Sequence, residues 1–135
     1  LEHAMVFDNG YGTSKAAVID TLNSGFDVLL EIDWQGAQQV RQRWPSVKDI
    51  FILPPSRQAL TDRLQRRGTD SAAVIERRLR DSVSELSHWA DFQYCVVNDN
   101  FDQAVSDIQA IMDGRGQAFS SQRPELSSFV GAMLQ

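Results

Sequence analysis

Asp27-Val28-Leu29-Leu30-Glu31-Ile32-Asp33-Trp34-Gln35-Gly36 runs from an apolar stretch into two carboxylates two residues apart, then into a glycine and a helical pattern. The apolar stretch predicts a strand over 27–33. Residues i and i+2 of a strand share a face, so Glu31 and Asp33 are expected to project together from its carboxyl end. In open α/β sheets ligands bind at that end. A carboxylate pair there suits the N–H donors of a purine base, or a metal ion. It suits equally a solvated strand end that caps the following helix.

Outward from this stretch, strands and helices alternate. Upstream, Val6 to Gly12 reads as a short extended piece entering a Gly/Asn-rich turn. Thr13 or Ser14 can cap a helix carrying Val18, Ile19 and Leu22, with Ser24-Gly25 as its stop. Downstream, 36–44 reads as a short helix with Ala37, Val40 and Trp44 on one side, halted by Pro45. Ile50-Phe51-Ile52-Leu53 predicts a second buried strand, ended by Pro54-Pro55. Helices are expected over 56–66 and 72–90, with Gly68 between them. Tyr94-Cys95-Val96-Val97 predicts a third strand, running into Asn98-Asp99-Asn100. Phe101, Ala104, Val105, Ile108, Ile111 and Met112 recur at helical spacing. A polar linker over 114–122 precedes a last helix over 124–134, with Leu126, Phe129, Val130 and Met133 along one stripe. Continuously apolar strands separated by helices indicate a parallel sheet covered on both faces, and hence an α/β fold. Three strands make a small sheet for that class.

The 135 residues suffice for one domain or part of one. With 42% hydrophobic and 23% charged residues, the composition is that of an ordinary globular protein. A net charge of −5 gives no case for non-specific binding to nucleic acid or to an anionic membrane, so any anion site must be a local basic cluster. The single cysteine, Cys95, excludes an internal disulfide framework and fits a reducing compartment; a cytoplasmic location is expected. Cys95 lies in an apolar run and is expected to be buried and inert. Two histidines and one cysteine do not make a structural zinc site, and no residue is assigned as a metal ligand. No apolar run is long enough to span a bilayer.

Most of the positive charge lies in Arg63-Leu64-Gln65-Arg66-Arg67-Gly68-Thr69-Asp70-Ser71 and Glu76-Arg77-Arg78-Leu79-Arg80. On the first helix Leu60 and Leu64 define the inward stripe. Arg63 and Arg67 lie together beside it, whereas Arg66 points away. Like charges four apart cost an isolated helix about 0.2–0.5 kcal/mol, which a bound polyanion would remove. On the second helix Ile75, Leu79, Val83, Leu86 and Ala90 form the stripe, with Arg78 at its edge and Arg77 and Arg80 turned outward. Arg63, Arg67 and Arg78 are therefore the three expected to converge on one ligand. A guanidinium suits phosphate because its planar fork donates two parallel hydrogen bonds and stays charged. The bland alternative is a solvated basic face paired with Asp62, Asp70, Glu76 and Asp81. The glycine followed by Thr-Asp-Ser favours a loop that presents arginines, as in a phosphoryl-transfer lid.

Tyr11-Gly12-Thr13-Ser14 is a second candidate, since a tyrosine hydroxyl and a helix N-terminus can both hold a phosphate and a threonine hydroxyl can donate to a purine carbonyl. A capped helix after a turn explains the same residues. Asn98 and Asp99 reach the ligand edge of the sheet, where they can touch a base or cap the next helix. His88 reads as a surface or helix-end partner, and Trp34, Trp44 and Trp89 as packing.

Together these pieces resemble the guanylate kinase family. The resemblance rests on Leu1-Glu2-His3-Ala4, Tyr11-Gly12-Thr13-Ser14, Leu30 to Val40, Ile50 to Ser56, Arg66-Arg67-Gly68-Thr69-Asp70-Ser71, Ser87-His88 and Val97-Asn98-Asp99, in family order and at family spacing. It covers residues 1 to about 115 strongly and the tail loosely. It implies a P-loop-kinase-like parallel sheet with flanking helices, transfer of the γ-phosphoryl of ATP to GMP, and Mg2+ bridging ATP. Carried onto matching positions, Glu2 would hold the guanine N1 and N2 donors and Thr13 the guanine carbonyl. Tyr11 would bind the GMP phosphate beside Gly12, and Asp33, with Glu31 nearby, would lie at the guanine and magnesium side of the cleft. Arg63 and Arg67 would belong to a lid over ATP, Arg78 would bridge the phosphates during transfer, and Asn98 and Asp99 would flank the adenine. The implied division is 1–26 for part of the GMP-binding segment, 27–62 and 79–115 for the core, 63–78 for the lid, and 116–135 for a linker and last helix.

The sequence departs from the family pattern in three places. Gly10 stands where the family has the first of two tyrosines, Asp8 adds negative charge near a phosphate site, and Asn100 replaces a common aspartate. Gly-x-x-x-x-Gly-Lys-Ser/Thr, which cradles ATP phosphates, occurs nowhere. The chain is therefore expected to be a carboxyl-terminal part of a longer protein, without the central P-loop strand and inactive alone. Unpaired strand edges would favour an intertwined homodimer. Two other classes fit the residues: a guanylate-kinase-like module that binds phosphorylated protein ligands without catalysis, and a different P-loop nucleotide kinase.

Overall fold

Glu2–Val6 (β1) and Asn9–Thr13 (β2) pair antiparallel, with Glu2 opposite Thr13 and Val6 opposite Asn9. The computed structural model describes residues 1–6, 9–66 and 71–135. The chain divides into two units, Leu1–Val47 and Lys48–Gln135. The β1–β2 pair opens the first and is more regular than the extended piece expected from sequence; the glycines of β2 hide its strand character. Lys15–Asn23 (α1) follows. Ser14, not Thr13, caps it by accepting from the Ala17 amide, and Gly25, at φ 87°, turns the chain away beyond Ser24. Trp34–Arg43 (α2) packs on β1 through a face that buries Gly36, Ala37 and Val40.

No strand forms over 27–33. Residues 26–33 have no regular structure, and Phe26 and Leu29 are 68% and 70% exposed. A strand needs a neighbour to take its backbone N–H and C=O groups, and among the described residues none pairs with this run. Apolar, β-branched composition is propensity without a partner.

The second unit holds the parallel pair. Ile50–Leu53 (β3) and Tyr94–Val97 (β4) lie side by side, Ile50 opposite Tyr94 and Leu53 opposite Val97. The Asn98 amide extends the ladder by donating to the Leu53 carbonyl at 2.8 Å. Two helices cross from β3 to β4, Arg57–Arg66 (α3) and Ala72–Leu86 (α4). Phe101–Met112 (α5) and Glu125–Leu134 (α6) follow β4. Side chains alternate across the pair. Leu53 and Cys95 face Leu86 of α4 and Leu126, Val130 and Met133 of α6. Val96 faces Ala104 and Ile111 of α5. Both faces are thus covered by helices, as the α/β reading requires. The coverage is uneven, since Ile52 on the α5 side is 53% exposed.

Two expected elements differ in detail. The helix expected to reach Ala90 ends at Leu86, and a separate tight turn covers Trp89–Asp91. The Ser87 hydroxyl bonds the Ser84 carbonyl, offering the backbone an alternative to another helical turn. The polar linker is docked, not loose: the Ser121 amide donates to the Gln93 carbonyl at 2.9 Å, and Arg123 donates to the carbonyls of Cys95 and Ser120, each at 3.0 Å. Asp49 is buried, and its carboxylate is satisfied by the Gln93 amide at 2.8 Å. No helix among the described residues is long and apolar enough to cross a membrane.

Candidate functional site

Glu2 is 5% exposed. A carboxylate at that depth needs donors and favourable charge to offset desolvation. The β1–β2 register sets Thr13 directly opposite, and its hydroxyl donates to Glu2 Oε1. The other oxygen lies over the first turn of α2. A Cβ at Gly36 would stand 2.8 Å from Glu2 Oε2 and 3.2 Å from Asp33 Oδ1, so the missing side chain is what lets both carboxylates border this turn. Asp33 caps α2, accepting from the Gly36 amide at 2.9 Å. A helix N-terminus carries partial positive charge, which favours anions by about 0.3–1 kcal/mol each.

The acidic pair is therefore not the one expected. Without a strand over 27–33, nothing aligns Glu31 with Asp33; Glu31 is exposed, whereas Asp33 is half-buried and committed to its cap. Glu2 takes the place of Glu31 beside Asp33. Gly12 lies in β2, where an added Cβ would meet the Glu2 carbonyl at 3.3 Å. Tyr11 lies in β2 opposite Ala4, and its side chain is outside the described set.

In the second unit, α3 and α4 pack together. Arg63 is half-buried and donates to the Asn98 carbonyl at 2.7 Å, which ties the end of α3 to the end of β4. Arg78 is also half-buried, whereas Arg66, Arg77 and Arg80 are exposed. Arg80 pairs with Glu76 at 3.1 Å across one helical turn. Arg67, with Gly68, Thr69 and Asp70, lies outside the described residues. Asp99 is exposed, and the cap of α5 falls to Asn100, which accepts from the Gln103 amide at 3.0 Å.

Sequence reasoning missed the α2 side of the first site. Gln39 bonds the backbone of β1 at His3, and Arg43 bonds the carbonyl of Leu1 just before it. The available signal was spacing: Gly36, Gln39, Val40 and Arg43 share one helical face, and a small or polar residue on an otherwise buried face marks a close backbone approach. Among the described residues no three His, Cys, Asp or Glu side chains group as a metal cage.

The family model for guanylate kinase matches residues 1–115, which includes every residue of both arrangements. The chain belongs to the guanylate kinase family. Over 134 residues it is 50% identical to the guanylate kinase of Alkalilimnicola ehrlichii, covering 99% of this chain and 66% of that protein. It is 46% identical to the guanylate kinase of Escherichia coli, covering 99% and 65%. The crystal structure of guanylate kinase from Anaplasma phagocytophilum superposes with a TM-score of 0.69 at 29% identity, covering 98% of this chain and 63% of that one. The P-loop-kinase-like α/β fold expected from the sequence is thereby the fold of this chain. The chain spans just under two thirds of the length of the guanylate kinases it matches.

Proposed function

We propose that this chain carries the guanine-recognising and lid regions of a guanylate kinase, an enzyme that moves the γ-phosphoryl group of ATP to GMP and yields ADP and GDP. The observation that supports it most is the buried Glu2 carboxylate, held by Thr13 and seated at Gly36, in a chain of this family. Guanine offers two parallel donors, N1–H and the 2-amino group, to a carboxylate that can only accept. Its carbonyl O6 can take a hydrogen bond from the Thr13 hydroxyl once that proton turns from Glu2 Oε1 to the base. Adenine presents a ring acceptor at the same edge, and the buried carboxylate would face it unpaired. Asp33, with Glu31 farther out, borders that side, and Tyr11 with Gly12 would hold the GMP phosphate.

Arg63, Arg67 and Arg78 would serve transfer by binding phosphate oxygens as charge shifts between them. The Arg63–Asn98 bond supports one part of this, since it sets the guanidinium against the segment where Asn98 and Asp99 would flank adenine. Magnesium would arrive with ATP, neutralising β- and γ-phosphate charge. A cytoplasmic location and self-association of the chain complete the proposal. Relatives named guanylate kinase favour the enzyme over the phosphoprotein-binding module.

Equilibrium dialysis against GMP, AMP and CMP tests the reading. GMP should bind, with AMP weaker by about a hundredfold or more, because a site built to pair hydrogen bonds rejects analogues that leave its groups unpaired. Turnover of ATP and GMP by the chain alone should be absent, since no lysine-bearing phosphate loop is in the sequence. AMP binding as tight as GMP binding would point to another nucleotide kinase, and phosphopeptide binding without GMP binding to the non-catalytic module.

A further inference from the structure

Gln39 makes two hydrogen bonds to one residue's backbone. Its Oε1 accepts from the His3 amide at 2.9 Å, and its Nε2 donates to the His3 carbonyl at 2.6 Å. A primary amide presents an acceptor and donors side by side, as a peptide group does. Gln39 therefore acts at the outer edge of β1 as a neighbouring strand would, satisfying the pair of groups that the β2 side does not use. Arg43, one turn further along α2, bonds the Leu1 carbonyl. The two contacts bracket Glu2. Between them the Glu2 carboxylate sits where a Cβ at Gly36 would be 2.8 Å away.

We propose that Gln39 is a positioning residue for guanine recognition: by clamping the His3 backbone to α2 it fixes the Glu2 carboxylate over Gly36 in the orientation that receives the two guanine donors. This rests on the reading of Glu2 given above. A carboxylate on a strand pinned from one side only would swing with that strand, and two parallel hydrogen bonds to a base tolerate little displacement. Gly36 is the other half of the device. It has no positive-φ requirement, so its role lies in the space it leaves. An added methyl would stand 2.8 Å from Glu2 Oε2 and 3.2 Å from Asp33 Oδ1, so the far end of the Glu2 side chain must shift and no longer sits in the same place.

The test uses the whole chain and two variants, Gln39→Met and Gly36→Ala, titrated with GMP and IMP. IMP lacks the 2-amino donor and reports how well the carboxylate fork is aimed. The unmodified chain should prefer GMP. Each variant should lose about tenfold in GMP affinity, the worth of one charge-assisted hydrogen bond, with IMP affinity changed far less. Amide hydrogen exchange supplies a readout free of nucleotide: the His3 amide should exchange faster in Gln39→Met, while the Val40 amide of α2 stays protected. A GMP-over-IMP preference unchanged in Gln39→Met overturns the proposal, as does an equal loss for both nucleotides, which would mark general loosening. If Gln39→Met does not fold, Gly36→Ala decides, and intact preference there overturns it. An unmodified chain without preference for GMP overturns the guanine reading of Glu2 and this inference with it, whereas retained preference in both variants overturns this inference alone.

Discussion

Cys95 shows how much a single side chain owes to its surroundings. It is fully buried in β4, its thiol directed at the Trp89 carbonyl at 3.7 Å. Burial pushes its pKa from 9.0 up to about 11, with the Arg123 guanidinium opposing and Asp49 adding to the rise. Such a thiol is not a nucleophile at neutral pH, in keeping with the inert cysteine expected from the apolar run. The sign of the linkage follows. Below pH 9.0 the thiol is neutral in folded and unfolded chains alike; between pH 9.0 and about 11 only the unfolded chain ionises. Stability from this group is therefore complete below the unfolded value and is lost as pH rises through the folded one, by about 2–3 kcal/mol in all. Urea unfolding at pH 7.5 and 10.5 should show the stability gap between the chain and Cys95→Ala narrowing at the higher pH. A constant gap would mean that the thiol is hydrated in the folded chain.

At the scale of elements, stops were readable because they are local, and caps only in part. Ser14, one of two expected caps, accepts from the amide three residues on, and Pro45 lies just beyond α2; Ser71 and Asn100 cap in the same way, although the α5 cap was expected at Asn98 or Asp99. The contribution of α6 was less obvious. Its stripe was visible as Leu126, Val130 and Met133, but only the structure shows that these residues close one face of the β3–β4 pair together with Leu53, Leu86 and Cys95. The helix is further tied by Arg57, which donates to the Gln135 carbonyl at 2.6 Å. Leu126→Ala should destabilise by about 2–5 kcal/mol, the range for a buried leucine whose cavity cannot fully collapse. Far-UV circular dichroism during urea titration measures this, and a loss under 1 kcal/mol would show the helix to be peripheral.

At the scale of the whole molecule, apolar surface outruns the cover available. Phe101, Val105 and Met112 are exposed along α5 at helical spacing, Phe101 by 73%. Ile52 is exposed on the strand face that α5 partly covers, and the 26–33 run adds Phe26 and Leu29. Patches of this kind drive association, and strand edges without partners offer backbone groups to another chain. Sedimentation velocity should show concentration-dependent self-association that Phe101→Gln combined with Val105→Gln reduces. A monomer at every concentration would overturn the proposed dimer.

Local chemistry was legible in the residues themselves: helix stops at Pro and Gly, the hydroxyl cap of α1, the apolar runs of β3 and β4, and the helical faces that leave Arg63 and Arg78 half-buried while Arg66, Arg77 and Arg80 stay exposed. These depend on neighbours within a few positions, and the sequence states such neighbours outright. What only the tertiary structure decided depends on partners far along the chain. Asp27 to Asp33 carries strand composition, yet without a second backbone beside it the run stays irregular. Glu2 bears no mark of burial in its own neighbourhood, yet Thr13, Gly36 and the Gln39 clamp, contributed by β2 and α2, make it the buried carboxylate of the site.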